Sequence, residues 1–319
     1  MGKNYNFSKK VNEDKLFFSL ADYRNNYFIN NNPEKIIEFY NSFTDKSQLL
    51  EWMKNRPKGN SVIREIQGDK DIIVVIPTMD ADGKLAQACK ENIFKGLHII
   101  FIESGYNNFY FNGAHNVNLG FKKALEYNPK WIIFSGDDMY KVDDVNKLMS
   151  ELKTVNNEDK DIVFTKPSLY HSSPERIGKR NLFFILYYLS TNKNKQRDLL
   201  KLYNKYKIKY FPSPTTGKYS LLFKKGYTYL EIQDFAIYSS NFVAAKKGAV
   251  YDETFVNAAE DTDLSLMFSL NRQKLAVVDY KIEDMIGRSL GTGIQRDIRS
   301  IAGLMYLNTK WENTLEQII

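Results

Sequence analysis

The stretch Trp131-Ile132-Ile133-Phe134-Ser135-Gly136-Asp137-Asp138-Met139 is apolar for four residues and then stops on two carboxylates. Aromatic and β-branched residues in so short a run predict a strand buried on both faces, and Gly136 lets the backbone turn where that strand leaves its sheet. Asp137 and Asp138 then sit at the carboxyl end of a strand. In open α/β sheets that edge is where ligands bind, and adjacent carboxylates are hard oxygen donors suited to Mg²⁺ or Mn²⁺ on a diphosphate. The same two residues also suit a plain turn, with Asp143 or Asp144 capping the next helix.

Upstream, Ile72-Ile73-Val74-Val75-Ile76-Pro77-Thr78 is a second continuous run closed by proline, and Leu97-His98-Ile99-Ile100-Phe101-Ile102 is a third, ending on Glu103-Ser104-Gly105. Helical patterns over residues 84–94 and 114–127 separate the three. Strands alternating with helices predict right-handed crossovers and a doubly wound, mostly parallel α/β sheet flanked by helices, with the strand ends on one rim. Glu103 is therefore expected to face the same crevice as Asp137 and Asp138.

Residues 1–68 read as a helical N-terminal extension. Its signals are Pro33 in a first helical turn and Ser47 as a cap, with Arg56-Pro57-Lys58-Gly59-Asn60 as a loop. Residues 69–165 form the first half of the α/β domain. Residues 166–234 are a basic and aromatic insert that includes Tyr203, Tyr206 and Tyr210. Its apolar run 183–188 suits core and its charge run 193–197 a solvated face, although aromatics among cations would also suit a sugar-stacking acceptor region or a nucleic-acid track. Residues 235–319 complete the domain, with a last strand at 274–278, a glycine-punctuated loop around Arg288 and a helix over 294–307.

Composition bounds the function. With 319 residues, 43% of them hydrophobic, the chain can bury a full core without staples. Its one cysteine, Cys89, excludes an internal disulfide framework and reads as a small buried apolar residue. His98, His115 and His171 lack zinc-ligand spacing, so any metal is expected on oxygen. The start is too polar for a signal peptide, and the longest apolar run, 182–189, is far short of the roughly 20 residues of a membrane span, so a cytoplasmic chain without a transmembrane segment is expected. A formal charge of +7 suits a polyanionic partner, but the excess is diffuse.

Pro77-Thr78 after the first strand, Glu103 after the second, Asn118-Leu119-Gly120 before a helix with Ala124, and Phe134-Ser135-Gly136-Asp137-Asp138 together resemble the nucleotide-binding half of a family 2 glycosyltransferase, whose fold is GT-A. Farther on, the segment 242–255 followed by Ala259-Glu260-Asp261-Thr262-Asp263-Leu264 is similar to that family's acceptor side, which ends in a Glu-Asp pair. Order and spacing over residues 70–280 carry the resemblance, since each motif alone is weak.

The resemblance implies that Asp138 binds the metal, Mn²⁺ or Mg²⁺, and that Asp137 touches ribose or metal. It implies that Glu103 contacts the nucleoside, that Pro77, Thr78 and Asn118 belong to the donor site, and that Asp261, with Glu260 beside it, is the catalytic base. Gly136 stands where many members have a further acidic residue. The Gln-x-x-Arg-Trp motif of processive synthases is missing, so a processive activity is not expected. The partners implied are a nucleotide-sugar donor, UDP-linked by preference, and a hydroxyl acceptor that is a glycan, protein, lipid or nucleic acid. Arg288 or Arg296 would meet the diphosphate if the glycine loop closes, and a plain connector is the other reading of that loop. Asp261 and Glu260 also suit helix capping. Two other functions fit the same features: a basic nucleic-acid-binding or nucleic-acid-modifying protein, and a nucleotidyltransferase on a related scaffold.

Overall fold

The computed structural model describes residues 32–106, 108, 110–165, 172–176, 193–214, 232, 234–271, 274–285 and 294–318. Helices α1 (Pro33–Asn41) and α2 (Lys46–Asn55) lead into β1 (Val62–Ile66) and β2 (Asp69–Thr78). Next come α3 (Lys84–Ala88) with a π-helical turn at Cys89–Ile93, β3 (Leu97–Glu103), α4 (Gly113–Leu125), β4 (Trp131–Ser135), β5 (Met139–Lys141), α5 (Val145–Lys153) and β6 (Ile162–Thr165). Then follow β7 (Ser172–Arg176), α6 (Lys193–Lys205), β8 (Tyr210–Pro214), β9 (Phe235–Ser239), α7 (Ser240–Ala245) and α8 (Glu260–Leu270). The last elements are β10 (Leu275–Val278), β11 (Ile282–Asp284), α9 (Ile294–Arg299) and α10 (Ile301–Ile318).

The unbroken apolar runs have a simple physical cause. Successive side chains of a strand point to opposite faces. Ile72, Val74 and Ile76 of β2 join one core cluster, while Ile73 and Val75 join another. In the same way Leu97, Ile99 and Phe101 of β3 separate from Ile100 and Ile102, and Trp131 and Ile133 of β4 from Ile132. The first face is covered by the π-helical turn (Cys89, Ile93) and α5 (Leu148, Leu152), and the second by α4 (Val117, Phe121), α7 (Val243) and α8 (Leu264, Phe268). The sheet is thus sandwiched between helices, as the alternation of strands and helices predicts. Gly120 lets α4 lie close to the sheet, since a Cβ there would come within 2.2 Å of Val75 Cγ1.

Among the described residues, the main sheet has seven strands in the order β1-β3-β2-β4-β9-β6-β10. β3, β2 and β4 run parallel, as do β6 and β10, whereas β1 and β9 run antiparallel to their neighbours. β1 adds a strand to residues 1–68, which the sequence reads as a mostly helical extension. Its first residues alternate poorly and are exposed, so nothing local marks it as a strand; pairing with β3 makes it one. Other boundaries also move. Asp45 rather than Ser47 caps α2, accepting from the Ser47 and Gln48 N–H groups. The helix expected over 84–94 is α-helical only to Ala88 before its π-helical turn, and the one expected over 294–307 is two helices that extend to Ile318.

Outside the sheet, α1, α2, α6, α9 and α10 share a third core containing Ile36, Phe39, Leu202, Tyr206, Ile298 and Met305. The N-terminal helices therefore pack on the end of the chain and on the insert. Tyr206 and Tyr210 are buried in cores, so they form no exposed stacking surface. Tyr203 packs beside the third core, while Tyr170, Tyr219, Tyr227, Tyr229 and the 183–188 run lie outside the described residues. No helix among the described residues is long and apolar enough to cross a membrane.

Candidate functional site

Parallel strands bring three predicted residues to one edge. Thr78 at the end of β2 is the register partner of Glu103 at the end of β3, and Thr78 Oγ1 donates to Asp137 Oδ2 at 2.6 Å. Pro77 precedes them, half-buried and paired with Ile102. Glu103 is already engaged: its Oε2 accepts from Arg64 Nε at 2.7 Å and from the Ala81 N–H at 3.2 Å. Arg64 comes from β1, so the edge strand that local sequence hides supplies the guanidinium that neutralises Glu103. Nearby, exposed Tyr106 donates to Asp80 Oδ2 at 2.8 Å.

The turn after β4 is tightly built. Gly136 N–H donates to the Asp234 carbonyl at 2.7 Å, and Met285 N–H donates to the Asp138 carbonyl at 2.8 Å. The second bond extends the small ladder of β5 with β11. Asp138 is 5% exposed, and its Oδ1 lies 3.0 Å from the point a Cβ on Gly136 would occupy. Burial, and then the Asp138 charge, raise the Asp137 carboxyl above the usual aspartate range, against the hydrogen bond from Thr78. Asp144 is the cap of α5, accepting from the Asn146 N–H at 2.9 Å, so the helix needs neither Asp137 nor Asp138. Two crowded, partly desolvated carboxylates at a strand end fit the donor set that Mg²⁺ or Mn²⁺ takes alongside substrate phosphates. Among the described residues no three His, Cys, Asp or Glu side chains converge as a metal group, so protein ligands alone would leave such an ion's coordination incomplete. Cys89 sits behind this turn, Sγ 3.5 Å from the Asp137 carbonyl, with its thiol pushed up to about 12 by burial and by Asp137 and Asp138. That keeps it a thiol, not a nucleophile.

The second pole is the first turn of α8. Asn257 and Ala259 both hold left-handed backbone conformations, with φ of 49° and 69°, and the chain swings through this elbow to present Glu260 and Asp261. Ala259 carries that conformation at a cost of roughly 1–2 kcal/mol relative to the right-handed region. Asn257 Oδ1 accepts from the Gly113 N–H at 2.6 Å and its Nδ2 donates to the Phe111 carbonyl at 3.2 Å, which locks the elbow to the start of α4. On the other side, Lys310 Nζ bonds Asp263 Oδ2 at 2.8 Å and Asp252 Oδ2 at 2.9 Å, and Trp311 Nε1 donates to Asp263 Oδ1 at 2.6 Å. Gly303 permits that approach of α10, because a Cβ there would fall 2.0 Å from the Ala258 carbonyl oxygen.

Asp261 Oδ1 accepts from the Thr262 N–H at 2.7 Å. Burial raises its carboxyl above the usual range, opposed by Thr262 and by the charge of Arg296. Glu260 is helped only by its own backbone N–H. Its Oε2 is enclosed and takes no hydrogen bond, and burial, then the Asp261, Asp234 and Asp263 charges, push its carboxyl up to about 8. Asp234 is the residue that sequence reasoning missed. Its Cβ lies 3.4 Å from the position a Cβ on Gly136 would take, and its charge also reaches Glu260, so it adjoins both poles. Only the antiparallel pairing of β9 with β4 delivers it there.

No protein-family model, curated protein or solved structure matches this chain. What the site can do therefore follows from its own geometry.

One predicted ligand contact is corrected by that geometry. Asn118 is fully buried; its Nδ2 donates to the Tyr251 carbonyl at 2.8 Å and to Glu253 Oε1 at 3.0 Å, and its Oδ1 accepts from the Val250 and Tyr251 N–H groups. These bonds use both donors and both lone pairs of the amide. Asn118 fastens α4 to the 250–253 segment and has no group left for a cofactor. Arg288 lies outside the described residues.

Proposed function

We propose that the chain is a metal-dependent inverting glycosyltransferase of GT-A-like fold, moving a sugar from a nucleotide diphosphate donor, by preference a UDP-sugar, to a hydroxyl acceptor. The observation that carries this reading is the meeting of two carboxylate poles, Asp137 with Asp138 at the end of β4 and Glu260 with Asp261 on α8, both adjoined by Asp234. The mixed α/β sheet supports it by gathering strand ends on one rim, the place where such sheets bind ligands.

Asp138, with Asp137 beside it, would hold Mn²⁺ or Mg²⁺, which when bound supplies positive charge against the diphosphate as that group leaves. Thr78 and Pro77 would line the nucleotide, with Glu103 at the nucleoside end. Asp261 takes the proton of the attacking hydroxyl, and the burial that raises its proton affinity makes it the stronger base. The acceptor oxygen bonds to the anomeric carbon as the bond from that carbon to the diphosphate oxygen breaks, and the electron pair of the broken bond leaves with the nucleoside diphosphate. One displacement inverts the anomeric centre.

Incubating the full chain with a panel of nucleotide sugars and Mn²⁺ tests this reading through its products. Release of a nucleoside diphosphate, abolished by a chelator, is expected. Release of pyrophosphate would instead identify a nucleotidyltransferase. Absence of turnover, together with nucleic-acid binding that weakens steeply with salt, would identify a phosphate-backbone binder.

A further inference from the structure

The strand order locates a crevice on the rim. From β2 the chain passes to β3 on one side and then crosses back to β4 on the other, so the ends of β2 and β4 flank a topological switch point, where such sheets bind ligands. Thr78 and Asp137, joined by their hydrogen bond, mark that point, and the end of β3 lies beside it. There the ladder with β2 runs on: the Ser104 N–H donates to the Thr78 carbonyl at 2.9 Å and the Gly105 N–H to the Met79 carbonyl at 3.1 Å. Gly105 then turns the chain with a φ of 71° and presents Tyr106. Tyr106 is fixed there yet uncovered. Its hydroxyl donates to Asp80 Oδ2 at 2.8 Å, and Asp80 is itself held, its Oδ1 accepting from the Asp82 N–H at 2.9 Å. Even so, Tyr106 is 57% exposed.

We propose that Tyr106 is the nucleobase platform of the donor site: the base lies flat on its exposed ring while the diphosphate reaches past Thr78 to the Asp137–Asp138 turn. This rests on the glycosyltransferase reading and assigns the residue that holds the base. A ring tied down at its backbone and at its hydroxyl has little freedom left to lose on binding, and an exposed aromatic face stacks a flat π-system. Neighbouring charges set the direction of the ligand. Among the groups bonded into this end of the rim, Asp80, Asp82 and Glu103 oppose the one positive charge of Arg64, so phosphate is repelled from here and an uncharged base is not. Both oxygens of Glu103 already accept from Arg64, and one also from the Ala81 N–H, so that carboxylate is largely committed within the protein. Stacking is the interaction still open to a base at this place. Every base has a π-face, so the platform holds nucleoside diphosphates as a class.

The test uses titration calorimetry on the full-length chain, with the parent, Tyr106→Phe and Tyr106→Ala. Each is titrated with UDP, GDP, ADP and dTDP, and with pyrophosphate, all in the presence of Mg²⁺. Loss of the ring in Tyr106→Ala should raise the Kd of the best-bound nucleotide about 5- to 150-fold, the range of one base–aromatic stack. Tyr106→Phe keeps the ring and drops only the tie to Asp80, so it should weaken binding much less. Pyrophosphate has no base, and its Kd should be the same in all three chains. Unchanged nucleotide affinity in Tyr106→Ala would overturn the platform and leave the donor site standing. A parallel fall in pyrophosphate affinity would overturn it as well, by reducing Tyr106 to a support of the rim. If the parent binds no nucleoside diphosphate, the glycosyltransferase reading fails and the platform falls with it.

Discussion

Replacing Gly303 with alanine should destabilise the protein, although the same change inside a helix ordinarily stabilises it by about 1 kcal/mol. The reason is distance. The new Cβ would lie 2.0 Å from the Ala258 carbonyl oxygen, 2.8 Å from its carbon and 3.1 Å from its Cβ. Carbon and oxygen in close contact sit about 3.3 Å apart, so α10 and the elbow must separate by roughly 1.3 Å. The obstacle is backbone, which cannot swing aside like the end of a long side chain. Overpacking of this kind costs about 1–3 kcal/mol, which set against the helix-propensity gain leaves a net loss of up to about 2 kcal/mol. A loss of that size lowers Tm by up to roughly 8 °C, judged from domains of 150–250 residues. The separation also moves the segment that presents Glu260 and Asp261, and a misplacement of about 1 Å costs a catalytic site about 10²-fold. Differential scanning calorimetry and donor turnover should therefore fall together. A rise in Tm would refute the close approach, and a fall in Tm with unchanged turnover would refute the coupling of α10 to the site.

Three further outcomes separate structural from chemical roles. Asn118→Ala should lower stability by about 2–4 kcal/mol, because it strands the buried Val250 and Tyr251 N–H groups, yet leave metal-dependent UDP binding intact in titration calorimetry. Asp138→Ala should abolish the Mn²⁺ dependence of UDP binding; in the parent, UDP at about 100 times its Kd adds roughly 2.7 kcal/mol of stability, and a chelator should remove most of the resulting thermal shift. A full shift in chelator would count against the metal site. Asp261→Asn should keep the fold and UDP binding but lower turnover by about 10²-fold or more, and near-parental turnover would exclude it as the base.

The pH dependence of stability follows from the same carboxyls. Glu260, Asp261 and Asp137 all have folded-state values raised above those of the unfolded chain. Between the ordinary carboxylate range and the raised value, the folded chain holds protons that the unfolded chain has lost. Their contribution is complete below the ordinary range and disappears as pH rises, toward about 8 for Glu260. Asp252 and Glu253 are shifted the other way despite burial, by Lys310 for Asp252 and by Asn118 and His115 for Glu253. Their contribution is present above the ordinary range and fades on acidification.

Residue order was sufficient for whatever depends on neighbours along the chain. Five buried residues in a row in β2 and an apolar run halted by Gly136-Asp137-Asp138 are local patterns, and they placed the central strands, the helices between them and the acidic rim. Thr78, Glu103 and Asp137 came together because parallel strands must end on one edge. The remaining features needed contacts between distant segments. Whether Val62–Ile66 is a strand depends on an edge offered by β3, and with it came Arg64 to hold Glu103. The reversed direction of β9, which no local pattern encodes, carried Asp234 between the two poles. An asparagine in a helix can contact a ligand or join two segments, and only the backbone groups at Val250 and Tyr251 settled Asn118 as a fastening. The difference between Glu260 and Asp261, adjacent and alike in sequence, arises partly from distant segments, which bring the positive charge of Arg296 to Asp261 and the negative charge of Asp234 to Glu260.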